Sequence, residues 1–338
     1  MIPAKFIRLI LIFQLCFATT LFAKARRFNY PSGDFLLVIG DIHGDPVALV
    51  NILLSNGMID AEGNWIAKNG HVVFLGDTIA KGPDSLTCLD IIIDMKRKAL
   101  EKNSPLLVNG GNHETNIYEN DLSNFISEDF QRFKELGARK YMDIGKILAD
   151  PNLPYAAEIA DRPFFIRIGR YGFVHAGLEE WTKQFTADYV NAWMRSYQDR
   201  NQKNVMADIP YKNPNELLTN ETGPHWSRRM SRGDYSQAEF DSIIGAWGVS
   251  ELWVGHEPTD NSRPQTTYNG KYHMQDTAIS SGMGGQIWCA FADKNGLAQN
   301  QFQQRRFARD NPKARKLVHK YREKQKQLYG VYNLRRCK

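Results

Sequence analysis

An α/β fold is predicted, with buried strands carrying polar residues off one edge of a sheet and helices between them. Three observations predict it. Short apolar, largely β-branched runs recur along the chain: Phe35-Leu36-Leu37-Val38-Ile39, Val72-Val73-Phe74-Leu75, Leu106-Leu107-Val108, Tyr171-Gly172-Phe173-Val174 and Leu252-Trp253-Val254. Runs of this length and continuity read as strands buried on both faces. Each is followed within a few residues by an Asp, Asn or His, in the segments Gly40-Asp41-Ile42-His43-Gly44, Gly76-Asp77, Gly111-Asn112-His113-Glu114, His175-Ala176-Gly177 and Gly255-His256. Glycine beside each polar residue lets the chain turn sharply and lets backbone approach an ion or phosphate. Open α/β sheets place their sites at such an edge.

The remaining elements follow in order. Residues 86–95 are apolar at helical spacing behind Asp84, a good helix cap, and Asp34, Asp45 and Glu114 are read as loop, cap or supporting residues. Residues 115–160 hold Phe125, Phe130, Phe133 and Leu136 at helical spacing before the proline-marked 150–154 stretch. A second insertion, 179–226, carries Trp181, Phe185, Tyr189, Trp193 and Tyr197. Together these two segments predict a helical cap beside the polar edge, in a position to choose the substrate. Ile287-Trp288-Cys289-Ala290-Phe291 reads as a strand, and residues 311–329 as a helix with Pro312 in its first turn.

The ligand types argue for metal. Asp and His offer hard oxygen and borderline nitrogen donors, and the motifs contain no thiolate, which points to an open catalytic site and away from a structural zinc knot. A bridging carboxylate holds two divalent ions about 3.5–4 Å apart, close enough to share and activate one water-derived nucleophile. Asp77 is assigned to the bridge, Asp41 and His43 to the first ion, and Asn112, His175 and His256 to the second. His113 is then free to protonate a leaving oxygen as general acid. Manganese is the first choice, with iron or zinc also suited to this donor set. His71, His225, His273 and His319 are read as structural.

The ordered set resembles the calcineurin-like metallophosphoesterase superfamily, in its PPP-type phosphatase branch, whose motifs read GDxHG, GDxxDRG, GNHE, HGG and a final His. The resemblance covers roughly residues 35–285, and Gly223-Pro224-His225-Trp226-Ser227-Arg228, Asp276-Thr277-Ala278 and Gly284-Gly285 are most similar to its bacterial, Shewanella-like group. It implies a central β-sandwich flanked by helices, two metal ions and attack by a bridging hydroxide on a phosphate ester. Two departures stand out. Ala80-Lys81-Gly82 replaces Asp-Arg-Gly, which removes the carboxylate that pairs with the GNHE histidine and the arginine that grips phosphate; His175-Ala176-Gly177 replaces HGG. Loss of an adjacent negative charge lowers the pKa expected for His113. Such an acid suits phenolate leaving groups of pKa about 10 better than alkoxides. The preference expected is therefore phosphotyrosine or another aryl phosphate. Lys81 keeps the charge but not the fork, so Arg228 or its neighbour Arg229, pointing apart, is the expected phosphoryl clamp.

Residues 1–25 predict where the chain works. Lys5 and Arg8 precede an apolar stretch over residues 9–22, and Ala23-Lys24-Ala25 offers a signal-peptidase site. Export to the periplasm or beyond is the reading, with an uncleaved membrane anchor as the alternative. Past that segment Cys88, Cys289 and Cys337 show no metal-type spacing, and the first two read as small buried hydrophobes. The catalytic domain is placed at residues 30–300. Residues 303–338 hold thirteen Lys plus Arg against two Asp plus Glu, so this basic tail carries +11 of a chain whose net charge is +6. It is either a solvated end or a patch for anionic membrane or nucleic acid. The leading function is a monomeric two-metal phosphomonoesterase acting on phosphoprotein. A nucleotide or dinucleoside-polyphosphate hydrolase of the same fold, and a degenerate phosphate-binding protein, are the alternatives.

Overall fold

The structure is a computed structural model and describes residues 28–198 and 221–336. The predicted signal segment, Cys337, and residues 199–220 of the second insertion lie outside the described residues. So do the side chains of Trp193 and Tyr197.

Eleven strands form among the described residues: β1 (Asn29–Tyr30), β2 (Phe35–Ile39), β3 (His71–Phe74), β4 (Leu106–Val108), β5 (Phe165–Ile168), β6 (Tyr171–Val174), β7 (Glu251–Val254), β8 (Gln265–Thr267), β9 (Tyr272–Met274), β10 (Ile287–Asp293) and β11 (Gln303–Phe307). They make two sheets, ordered β1-β5-β6-β7-β9-β8 and β11-β10-β2-β3-β4. The sheets face one another. Because side chains alternate along a strand, Leu36 and Val38 of β2 point into the space between the sheets. There they join Val73, Leu107, Ile166, Tyr171, Phe173 and Trp253 in one buried cluster. Leu37 and Ile39 point the other way, onto helices α1 (Pro46–Ser55) and α2 (Ser85–Leu100). This is the β-sandwich flanked by helices that the motifs implied.

Topology places the site. Strands β2, β3 and β4 run parallel in one sheet, and β6, β7 and β9 run parallel in the other. The polar residues follow the carboxyl ends of β2, β3, β4, β6 and β7, so all of them leave the sandwich at the same end.

Four short helices after β4 build the first cap segment: α3 (Asn112–Glu119), α4 (Ser127–Glu135), α5 (Met142–Leu148) and α6 (Pro154–Ala160). Phe125, Phe130, Phe133 and Leu136 pack there with Ile79 and Ala80. α7 (Ala187–Gln198) in the second segment and α8 (Gln237–Ala246) after it flank the other sheet, and Trp181, Phe185 and Tyr189 pack against its core. The caps predicted at Asp45 and Asp84 are present: each carboxylate accepts from a backbone N–H of α1 or α2. Both Cys88 and Cys289 are buried thiols.

The last segment differs from a solvated tail beginning at residue 303. Residues 303–307 are β11, paired antiparallel with β10. After the short α9 (Lys294–Gln299), the chain ends its described part in α10 (Pro312–Arg336), which lies on α1 and α2. Ala314, Leu317 and Val318 enter the main core, and Arg322 reaches Asp84 at 2.7 Å. The high charge of this stretch hid an i, i+3, i+4 apolar stripe. Among the described residues no helix is long and apolar enough to cross a membrane.

Leu317 is 3% exposed, so Leu317→Ala should cost about 2–5 kcal/mol of stability, read by urea unfolding. A loss below about 1 kcal/mol would mean that α10 is not packed as described.

Candidate active site

The turn after β3 is the centre of the site. Asp77 adopts φ 45° and the preceding Gly76 φ 106°. Two more of the six predicted ligands, His43 at φ 45° and His256 at φ 69°, are also left-handed. A bulky side chain in this region costs about 1–3 kcal/mol and persists where the surroundings impose it, commonly at functional sites. Buried hydrogen bonds impose it here. Glu114 accepts the N–H of Asp77 at 3.1 Å and of Gly111 at 2.9 Å on one oxygen, and the N–H of Thr78 at 2.9 Å on the other. The Asp77 carboxylate in turn accepts the N–H of His113 at 3.0 Å. Glu114, given a supporting role from sequence, is what ties the β3 turn to the start of α3.

The predicted ligands converge around Asp77. Its Oδ2 lies 3.8 Å from His43 Nε2, 3.7 Å from His113 Nε2 and 3.4 Å from His175 Nε2. Asn112 Oδ1 is 3.0 Å from both His175 Nε2 and His256 Nδ1. Asp41 Oδ2 accepts the N–H of His256 at 2.9 Å and lies 4.0 Å from His43 Nε2. Two potential metal groups result, His43-Asp77-His113 and Asp77-His175-His256, and Asp77 belongs to both. The shared carboxylate is where the bridge was expected. His113 falls in the first group by distance, where sequence had placed Asp41 and kept His113 apart as an acid; all three side chains surround that position.

The chemistry of the donors fits divalent cations. His175 Nδ1 sits 2.8 Å from the Leu75 carbonyl and His43 Nδ1 3.3 Å from the Ile79 carbonyl. A carbonyl accepts only, so each Nδ1 bears the proton and each Nε2 lone pair faces the carboxylates. Lone pairs converging on lone pairs are ligands around a cation. Among the described residues, buried Asp41 Oδ1, Asp276 Oδ2 and His256 Nε2 have no hydrogen-bond partner, a cost that cation binding would relieve.

Electrostatics agree at His43 and His256, and His175 is the exception. Burial, with Asp276 and Asp77 nearby, pushes the Asp41 carboxyl well above the usual range. Burial would raise Asp77 too, but the His175, His113 and His43 rings hold it well below. Burial takes His43 down to about 3 and His256 to about 2, so both are neutral, as ligands must be. Burial also lowers His175, but the Asp77 carboxylate and the Leu75 carbonyl leave it raised overall. His113 is lowered, the direction expected from Ala80. The leading cause is burial, with the Lys81 charge adding to it and Asp77 opposing.

Other residues fall on either side of the prediction. The Lys81 charge acts against the rise that burial causes at Asp41 and Asp276 without reversing it. Arg228 pairs with Glu257, the neighbour of His256. Arg229 does not reach the site: its guanidinium lies 3.3 Å from Glu179 and 4.5 Å from the centre of the Tyr235 ring. Buried Glu179 also receives Ser227 and Tyr235 hydroxyls, which draws Arg229 toward that side. Asp84 caps α2 and pairs with Arg132 and Arg322, away from His113. His225 is buried with Nδ1 2.8 Å from Thr115 Oγ1, and His273 pairs with Glu251 at 2.9 Å. Two residues carried no role from sequence. Asp276 is buried beside Asp41 and Asp77 and raised to about 6, mainly by burial. Arg162 is wholly buried against Glu114.

The model of the calcineurin-like phosphoesterases matches residues 36–260. The chain belongs to that family. It is a hydrolase, a metal-dependent phosphatase; the family implies divalent metal ions, and the His and Asp groups described above are sites that could hold them. It is 25% identical to Shewanella-like protein phosphatase 1 of Plasmodium berghei (strain Anka), over 72% of this chain and 67% of that one. This is the branch expected from the motifs. In fold it resembles a cold-active protein-tyrosine phosphatase of a psychrophilic Shewanella species, with TM-score 0.67, 23% identity and 82% of each chain covered. A serine/threonine phosphatase of Saccharomyces cerevisiae gives TM-score 0.55 and 16% identity over 86% of this chain and 87% of that one.

Gly111 gives this phosphatase a sharp test. A Cβ there would stand 2.1 Å from Asp77 Oδ1 and 2.5 Å from its backbone nitrogen. Gly111→Ala should therefore move the shared ligand and lower kcat about 100-fold, the loss that a displacement of about 1 Å produces. Steady-state rates beside a thermal unfolding curve check it, and wild-type kcat would contradict the geometry.

Proposed function

We propose that the protein is an exported phosphomonoesterase that uses two divalent ions, manganese first and iron or zinc as alternatives, on phosphoprotein, with a preference for phosphotyrosine and other aryl esters. The observation that carries the two-ion reading is the membership of Asp77 in both ligand groups. Divalent ions, when bound there, supply charge neutralisation for the phosphoryl oxygens and activate a water for in-line attack.

The chain's own residues divide the rest of the work. Asp41, His43, Asp77, Asn112, His175 and His256 fix the ions. Lys81 brings a positive charge to the phosphoryl oxygens, and Arg228 adds a second from beside Glu257. His113, within 3.7 Å of Asp77, stands at the first group and protonates the departing oxygen. Preference for an aryl ester is supported by residue 80. Among the described residues Asp77 is the one carboxylate within ion-pair distance of His113, and Ala80 offers it no second. An acid so placed gives limited help, which a phenolate needs less than an alkoxide. The cold-active relative in fold is itself named a tyrosine phosphatase. Export is supported by the charged, apolar and small-residue pattern of residues 1–25. The phosphatase is proposed to act as a monomer.

Hydrolysis of p-nitrophenyl phosphate by the chain from residue 26 onward should vanish on chelation and return with Mn²⁺. Asp77→Asn should abolish it. His113→Asn should cost about 100-fold in kcat on a phosphoserine peptide and less on an aryl ester. Phosphotyrosine peptide should exceed matched phosphoserine peptide at least about tenfold in kcat/KM, a difference of about 1.4 kcal/mol in barrier. Clear preference for phosphoserine would overturn the substrate reading, and metal binding without turnover would overturn the enzyme reading.

A further inference from the structure

We propose that Arg162 is a positioning residue for the shared metal ligand, acting through Glu114. Arg162 sits between α6 and β5, 85 positions after Asp77, and its side chain is wholly buried. One nitrogen, Nη1, lies 2.8 Å from Glu114 Oε1 and donates to Thr78 Oγ1 at 2.9 Å. Its Nε lies 3.5 Å from Glu158 Oε1, and that carboxylate accepts from Lys96 Nζ at 2.7 Å. A line of alternating charge thus runs inward from half-buried Lys96 on α2 to Glu158, Arg162 and Glu114. Its inner end is the carboxylate holding the backbone of Asp77, Thr78 and Gly111.

Burying such a pair costs several kcal/mol per ion before any attraction is counted, and an apolar filler would pack the same space more cheaply. What the pair supplies is geometry. Asp77 holds φ 45° with three backbone donors bound to one carboxylate, and the planar guanidinium of Arg162 fixes the position of that carboxylate through Nη1. Thr78 hydrogen bonds Glu114 at 3.0 Å through the same hydroxyl that Arg162 reaches, so the guanidinium touches both the brace and the turn it braces. Among the described residues Arg162 has its polar contacts with Thr78, Glu114 and Glu158, none of them a predicted ligand. Its influence passes through Glu114 and Thr78, as an outer partner tunes a metal site.

This inference rests on the two-ion phosphatase reading, so the test reads metal affinity without turnover. Calorimetric titration of Mn²⁺ into full-length Arg162→Met, Arg162→Lys and wild type should show Kd raised about 10–100-fold in Arg162→Met. Arg162→Lys should fall between, because an ammonium keeps the charge but not the planar group that spans Glu114, Thr78 and Glu158. Steady-state rates should show kcat lowered while KM for p-nitrophenyl phosphate stays within about threefold, and the double variant Arg162→Met/Glu114→Gln should lose no more than Glu114→Gln alone. Wild-type affinity and kcat in Arg162→Met, with only the melting temperature lowered, would overturn the proposal and leave Arg162 a packing residue. If Arg162→Met does not fold, Arg162→Lys decides: wild-type Mn²⁺ affinity there overturns it. A wild type that binds Mn²⁺ but hydrolyses nothing would sink the enzyme reading, while these affinities would still decide the role of Arg162.

Discussion

The three backbone N–H groups bound to the Glu114 carboxylate are the constraint on which the rest of the site depends. They fix a left-handed turn at Asp77, and that turn alone lets one carboxylate face histidines arriving from both sheets. His43 comes from the β2 end, His113 from α3, and His175 from the neighbouring sheet after β6. The sandwich core of Val38, Val73, Ile166, Phe173 and Trp253 is a cluster that contains none of the predicted ligands. Fold and site are separable in this sense: the sheets supply a rigid edge, and a handful of buried polar contacts turn the edge into a constellation.

The strands and the ligands were legible in the sequence because each signal is local. A run such as Phe35-Leu36-Leu37-Val38-Ile39 declares its own burial, and β2 occupies those five residues. The ligand one to four positions beyond is placed by the strand before it. Gly111 and Gly255 were legible as points of close approach, and their missing side chains make room for the carboxylates of Asp77 and Asp41. What was not legible depends on pairs far apart in the chain. Arg162 looks like a loop residue before a proline; nothing near it says that Glu114 is its partner. Arg229 and Arg228 are equivalent as letters, and buried Glu179, fifty positions upstream, decides between them. In the last segment the charges dominate the composition, and the stripe Ala314, Leu317, Val318 becomes visible as a docked face only once α1 and α2 are there to receive it.

The Ala80-Lys81-Gly82 turn is the larger of the two departures from the motifs this chain resembles, and its surroundings are well defined. Ala80 and Lys81 are both left-handed, at φ 63° and 55°, although neither is a residue that favours that region. Ala80 is buried, with its N–H donated to Ser85 Oγ at 2.9 Å, and the Lys81 N–H goes to the Asn124 carbonyl at 2.8 Å. Gly82 passes so close to the His43 carbonyl that a Cβ would stand 1.8 Å from it. The turn is therefore firmly built without the carboxylate. Ala80 adds apolar wall, Lys81 adds a positive charge to a centre crowded with Asp41, Asp77 and Asp276, and His113 is left with Asp77 and, more weakly, Glu114 as its anionic neighbours.

One measurement tests the central claim, that Asp77 is shared by two ions, most directly. Crystals of the full chain soaked in Mn²⁺ and recorded for anomalous scattering should show two peaks about 3.5–4 Å apart, with a carboxylate oxygen of Asp77 at bonding distance from each. A single peak, or two peaks of which only one touches Asp77, would contradict the account.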